Sequence, residues 1–434
     1  MLNAYRNFSV KTIARLFYLH PLWWFLGVDQ LVFPIVCTSL LIFGLYHRVL
    51  KITVKNNILL LILFLMHLVA FINLYFEPQA EFYGKLYIFK TFLTSSAMIS
   101  YFILTNSIRR AEHISHLWSS YILCLFFSMI ATVIGYLYYK LLGGTSITTV
   151  LSYISPDSIS TYDLFKLYFT KMIIRGTNIF NIDVVRSAGL FQYPNLFAFS
   201  LEQTSFIGIA MAVITKKKRY VFFVFLCILL TFASTSRSGI ISLMLGMAMI
   251  IPVHLVVTRS VHFLLPLATL IFIVFVSIFS GNFTQVEPEL DLLLEARGQS
   301  HKSREVIYRE TIKLIKQHPF IGWGTNRKIS DKLAYAGSHS TYLSIAFKVG
   351  LIGLFVFILF LADVFRRAFR IRDSLPGGFG CPLVKAVLIA CMIQQLIHML
   401  FLDINDDIVV LNQAFSIWAG IVALERISIT QVSD

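Results

Sequence analysis

Apolar runs close to twenty residues long recur from one end of the chain to the other, and no other feature narrows the possible folds as much. A helical run of that length crosses the hydrocarbon core of a bilayer, and a soluble domain cannot hide many of them. The stretch "LCILLTFASTSRSGIISLMLGMAMII" (226–251) shows the pattern at its tightest, two such runs meeting at "STSRSG" with one arginine, Arg237. Composition agrees: 57% of the 434 residues are hydrophobic, only 14% are charged, and the mean hydropathy is +0.76. The chain therefore predicts an all-α, polytopic membrane protein.

Twelve spans are expected, centred on 13–27, 30–46, 57–76, 86–106, 117–139, 195–214, 220–234, 238–256, 261–280, 341–362, 384–402 and 408–424. The first is short enough to be half-spanning or interfacial. It lacks a small-residue cleavage site, which predicts no removable signal peptide. The net charge of +15 could suggest nucleic acid, but many of the basic residues sit in short loops between apolar runs, as membrane topology requires. With Arg6 and Lys11 on the cytoplasmic side, the even connections return to that side carrying Arg48, Lys51 and Lys55, Arg109 and Arg110, "KKKR" at 216–219, Arg259, and then Arg366, Arg367, Arg370 and Arg372. The odd connections hold Asp29, "EPQAE", the long segment 140–187, "STSRSG", the loop 281–338 and "DINDD" at 403–407. This alternation predicts both termini in the cytoplasm. The five cysteines form no metal or disulfide spacing and read as buried small hydrophobes.

Two outer segments are long enough to fold. "STYDLFKLYFTKMII" (160–174) predicts a helix lying along the interface. "SREVIYRETIKLIKQ" (303–317) predicts a helix with Val306, Ile307, Leu314 and Ile315 on one face, ended by His318-Pro319 and followed by a turn at "GWG". The whole reads as one membrane domain, divisible into residues 1–185, a core at 186–363 that includes the loop 281–338, and residues 364–434.

On the outer side the chain collects Arg186, Arg237, Arg304 and His339 from four separate stretches. Singly, an outer arginine is commonly an interface anchor and a histidine at a helix start is commonly a partial cap. Together, three planar guanidinium forks suit a pyrophosphate-sized anion, each contact contributing roughly 1.5–3 kcal/mol. A histidine beside them can take a proton from a hydroxyl near neutral pH. Asn195, just after Pro194 at the start of the sixth span, is expected to be free to point into the outer cavity. Glu202 lies about 10 Å deeper on nearly the same face, and is either functional or paired with Lys90 or Lys348. Tyr342 shares a face with His339 and, with Asn195 and Glu202, is a candidate acceptor or sugar contact, whereas Lys348 is expected on the opposite side of that helix. "DINDD" reads as a solvated loop rather than a ligand set.

Four pieces, "RSAGLFQYPNLFAF", "STSRSG", "SREVIYRETIKLIKQHPFIGWGTN" and "HSTYLSIAFKVGLIG", resemble the O-antigen ligase and polymerase family of bacterial surface-polysaccharide enzymes. The resemblance runs from about Arg186 to Asp363. It implies a GT-C-like inner-membrane glycosyltransferase whose active site faces the periplasm, with a large, partly helical periplasmic loop. Such an enzyme moves a glycan, with inversion, from undecaprenyl pyrophosphate to a hydroxyl of an acceptor lipid-linked sugar. It needs no cofactor, no metal and no nucleic acid. It works among membrane lipids and can have a chain-length regulator as partner. By motif, Arg237 and Arg304 would hold the pyrophosphate, Arg186 would add to that clamp, and His339 would be the base. The "HSTYLSIAF" stretch looks more like a polymerase; the alternative is a ligase that transfers polymer to lipid A-core. A flippase or other transporter would place functional charges near the midplane and often show internal repeats; neither is visible here.

Overall fold

A computed structural model describes residues 2–50, 54–75, 80–144, 146–151, 170–172, 174–179, 182–259, 304–324, 336–337, 339–373, 375–404 and 407–430. Helices dominate: α1 (Leu2–Tyr18), α2 (His20–Leu26), α3 (Asp29–Tyr46), α4 (Val54–Tyr75), α5 (Ala80–Ser107), α6 (Ala111–Leu142), α7 (Pro194–Thr215), α8 (Lys218–Ala233) and α9 (Arg237–Arg259). Helix α10 covers 304–317, and α11 (Thr341–Arg370), α12 (Pro382–His398) and α13 (Ile408–Thr430) complete the bundle.

Among the described residues, six helices are long and apolar enough to cross a membrane: Asp29–Tyr46, Ala111–Leu142, Pro194–Thr215, Arg237–Thr258, Thr341–Arg370 and Ile408–Thr430. They match six of the twelve expected spans. Helices α4, α5, α8 and α12 stand where four more were expected, with α8 and α12 only 16 and 17 residues long. The expected span at 261–280 lies outside the described residues. The run at 13–27 is not one helix. It divides at Leu19 into α1 and α2. Helix α1 buries Tyr5, Ser9, Val10, Ile13, Ala14 and Phe17, a stripe at helical spacing, while Arg6 and Lys11 interrupt the apolar character a span needs.

Helix α13 is buried over its whole apolar window, packing against α5 and α11. Helix α12 packs against α7 and α9. Outer helices behave oppositely: α8 exposes Val221, Phe222, Phe225 and Leu229, and α6 exposes Val133, Ile134, Leu137 and Leu141. Apolar side chains so numerous on an exterior need a hydrocarbon solvent. The cysteines are free; four are buried and Cys381 is partly so.

One of the outer segments is not helical where it is described. Strands β1 (Ser146–Thr148) and β2 (Thr170–Met172) pair antiparallel, as do β3 (Ile174–Ile179) and β4 (Ile182–Ser187), with Arg175 opposite Arg186. The helix expected over 160–174 is thus overturned from Thr170 onward, and the rest of it lies outside the described residues. Ile174, Thr177, Ile179, Ile182, Val184 and Val185 are β-branched residues that favour a pleated strand.

The bundle has two chemically distinct ends. At one, Arg367 near the foot of α11 meets Glu425 of α13 at 2.9 Å, and Arg426 donates to the Thr105 and Ile108 carbonyls at the end of α5. Gly378 lies against Ile214 at the end of α7, so the "KKKR" connection is at this end too. The other end gathers the starts of α7, α9, α11 and α13 with the end of α12.

Candidate functional site

Arg186 leaves the end of β4 and is half-buried. Its Nε donates to the Ser234 carbonyl at 3.2 Å and its terminal nitrogen donates to Asn195 Oδ1 at 2.9 Å. Two of the four expected pieces therefore meet: "RSAGLFQYPNLFAF", which holds both Arg186 and the first turn of α7, and the turn that leads to Arg237. Asn195 is correspondingly not free, since its amide oxygen is committed to Arg186. Helix α7 does begin at Pro194, as expected.

Arg237 is the first residue of α9 and is exposed. The hydroxyls around it hold the turn together. Ser234 Oγ donates to the Thr231 carbonyl at 2.7 Å and accepts from the Ser236 amide, and Ser236 Oγ accepts from the Gly239 amide at 3.3 Å. Such side-chain caps satisfy amides that the first helical turn leaves open.

Arg304 opens α10, and Tyr308 stands one turn later on the same face. The Tyr308 hydroxyl donates to the His339 carbonyl at 2.9 Å, and Thr311 Oγ1 accepts from the Gly337 amide at 2.9 Å. Helix α10 is thereby fastened to the 336–339 turn, burying Ile307, Thr311 and Ile315; Val306, expected on that face, is exposed. His339 is half-buried in left-handed backbone at φ 67°. It does not cap α11, because Ser340 does so by accepting from the Leu343 amide. Burial holds the His339 imidazole below its ordinary pKa, the nearby Arg304 charge lowers it further, and Asp403 opposes both. At neutral pH this imidazole is an acceptor.

The next stretch explains "HPFIGWG". Helix α10 ends at 317, as expected, and Gly322 and Gly324 adopt φ 75° and 74°. The loop then docks onto a break in α11: Trp323 N donates to the Phe347 carbonyl at 2.8 Å, Gly324 N to Lys348 at 2.9 Å, and Leu351 N to Pro319 at 2.7 Å. The break is Gly350, φ 83° and ψ 175°. A Cβ there would lie 2.0 Å from the Phe320 carbonyl oxygen. Only glycine fits both the conformation and the space.

The residue pairs around the acids also differ from expectation. Asp403 is buried with Lys348 Nζ at 3.4 Å. Asp407 is buried as well: its Oδ1 caps α13 by accepting from Val409 and Val410 at 2.8 and 3.2 Å, and burial pushes it up to about 6. The "DINDD" segment is therefore not a solvated loop at these two positions, because its acids are used as a pair and a cap. Among the described residues, no group of three or more His, Cys, Asp and Glu is placed to hold a metal ion.

Glu202 is fully buried, and its described partners do not include Lys348. Lys348 belongs to Asp403, and the Lys90 side chain lies outside the described residues. Instead Glu202 Oε2 accepts from Ser242 Oγ at 2.6 Å, from Gln394 Nε2, and pairs with His398 Nδ1 at 2.9 Å. Tyr342 also turns inward. Its hydroxyl donates to the Leu396 carbonyl at 3.1 Å, so the phenol fastens α11 to α12.

The two parts of the site join at the end of α12. His398 contacts Ser238, next to Arg237, while the adjacent Met399 carbonyl accepts from the amide of Thr341, two residues after His339. Thr341 Oγ1 donates to Leu402 at 2.6 Å and accepts from Ile404 N. Sequence reasoning missed His398 because it sits at the end of an apolar run with no motif around it. The buried glutamate was the available signal that a polar partner had to exist.

Compared with known proteins, residues 222–358 match the family described as O-Antigen ligase. The match contains Arg237, Arg304 and His339 and stops short of Arg186. No curated protein matches the chain. The resemblance to the O-antigen ligase and polymerase family therefore holds over residues 222–358.

Proposed function

We propose that this chain is an inverting membrane glycosyltransferase that takes its glycan from undecaprenyl pyrophosphate on the periplasmic side of the inner membrane. The observation that carries the reading is the meeting, at one end of the bundle, of the "STSRSG" turn with Arg186 and of α10 with His339, inside a stretch matched as O-antigen ligase. In this reading Arg186, Arg237 and Arg304 hold the pyrophosphate, and His339 accepts the proton of the acceptor hydroxyl. The acceptor oxygen bonds to C1 of the donor sugar as the C1–O bond to phosphate breaks. The pyrophosphate leaves on its lipid, and the hydroxyl proton passes to a ring nitrogen of His339. Charge neutralisation by guanidinium groups takes the place a divalent cation has in many phosphate sites.

The favoured acceptor is a second lipid-linked repeat, which makes the chain a polymerase for O-antigen or capsule with a chain-length regulator as natural partner. The family's description favours a second reading, transfer of finished polymer to lipid A-core. A deletion strain separates the two. Single-repeat caps on lipid A-core are expected of a lost polymerase, and polymer retained on the carrier lipid of a lost ligase. An unaltered surface glycan would count against both.

A further inference from the structure

Beneath Arg237 runs a buried chain of polar side chains that the transfer chemistry does not use. Glu202 of α7 holds His398 of α12 through Nδ1 at 2.9 Å, and His398 Nε2 stands 3.2 Å from Ser238 Oγ of α9. Glu202 and His398 are wholly inaccessible, and Ser238 retains 9% exposure. The carboxylate is additionally bound by Ser242 and Gln394, and the Phe199 ring lies edge-on to the imidazole at 5.1 Å. A carboxyl and an imidazole are costly to bury inside a membrane bundle, so a chain that keeps them gains something other than packing. What the arrangement supplies is direction. An acceptor pinned in three ways fixes the imidazole plane, and the imidazole fixes Ser238 in the first turn of α9.

Gly239 supports the same interpretation. A Cβ at that position would lie 2.7 Å from Glu202 Oε1 and 2.9 Å from the Ala198 Cβ. The glycine lets α9 approach α7 until Ser238 reaches His398. With Arg186 bonded to the Ser234 carbonyl on one side and Ser238 tied to His398 on the other, the residue between them, Arg237, has its backbone fixed from both flanks.

We propose that Glu202, His398 and Ser238 are positioning residues for Arg237, forming a buried three-residue chain that sets the direction of its guanidinium toward a pyrophosphate. This rests on the reading of Arg237 as a pyrophosphate ligand. Replacing one link should weaken the anion site without emptying the membrane of folded protein.

The test is a double-mutant cycle on purified, detergent-solubilised full-length protein, with farnesyl pyrophosphate as the binding probe. Ser238→Ala and His398→Ala should each weaken binding about tenfold, as expected for loss of one hydrogen bond to a buried partner. His398→Gln, whose amide can accept from Ser238 and donate to Glu202, should recover most of that loss. In an Arg237→Lys background, Ser238→Ala should cost nothing further, because it acts only through Arg237. Equal losses from Ser238→Ala in both backgrounds would overturn the inference, as would unchanged binding in Ser238→Ala, which keeps the test sharp if His398→Ala fails to fold. Full binding by Arg237→Lys alone would instead defeat the pyrophosphate reading, and the positioning chain with it.

Discussion

Arg367 and Arg186, at opposite ends of the bundle, are held by different kinds of oxygen. At the basic end, Arg367 lies between Asp363 at 2.7 Å and Glu425 at 2.9 Å, and Lys385 meets Asp373 at 3.0 Å. At the other end, Arg186 is held by the amide oxygen of Asn195 and the carbonyl of Ser234, and Glu202 is sequestered with His398 below the surface. A carboxylate beside a guanidinium cancels it, while a neutral oxygen orients it and takes none of its charge. The first arrangement secures helices to one another. The second, on the reading proposed above, aims charge at an anion.

Substitutions at the two ends should therefore diverge, most sharply at His339. His339→Ala is expected to lower transfer by roughly 10²–10⁴-fold, the usual contribution of a positioned base, at unchanged protein level in the membrane. Transfer at more than a tenth of the normal rate would remove the base from this residue. Next in size, Arg237→Lys and Arg304→Lys should each lose about 1.5–3 kcal/mol of pyrophosphate binding, roughly ten- to hundredfold in donor affinity. Arg367→Lys at the basic end should leave transfer close to normal, so comparable losses from all three would erase the distinction between the ends.

Gly350→Ala probes the scaffold instead. Its Cβ would strike the Phe320 carbonyl in a left-handed conformation, and a destabilisation of about 1–3 kcal/mol is expected. Thermal unfolding in detergent reports this, and an unshifted transition would mean that the loop at 319–324 does not dock there. A smaller effect concerns pH. Because the His339 imidazole is held below its ordinary value, the transfer rate should be flat through pH 7 and fall only below about pH 6.5. An acid limb centred above that value would contradict the cause given for the shift. Smallest of all, excess chelator should leave transfer by purified enzyme unaltered; loss restored by Mg²⁺ would end the metal-independent mechanism.

Much of this was legible in the chain. The apolar runs located α3, α6, α7, α9, α11 and α13, since hydropathy over twenty residues is a property of the run itself. The turn before α7, the "STSRSG" turn and α10 were visible for the same local reason, as was the end of α10 at His318. What escaped depends on distant neighbours. Nothing adjacent to Glu202 announces His398, which lies 196 positions away. Asp403 and Asp407 look solvated in sequence because burial is set by Lys348 and by the start of α13. The break at Gly350 is hidden because hydropathy runs smoothly across it; the paired signal is the glycine-rich loop at 322–324, readable only once the two are known to touch. The strands at 170–187 were masked by aromatic and aliphatic residues that suit a helix as well as a sheet.

His339 occupies a left-handed backbone position that glycine adopts freely and that costs another residue about 1–2 kcal/mol. Keeping an imidazole there is a standing sacrifice of folding free energy, the pattern expected where selection acts on activity rather than on robustness. A glycine at 339 should consequently give a protein that withstands heat better than its parent and transfers glycan roughly 10²–10⁴-fold more slowly.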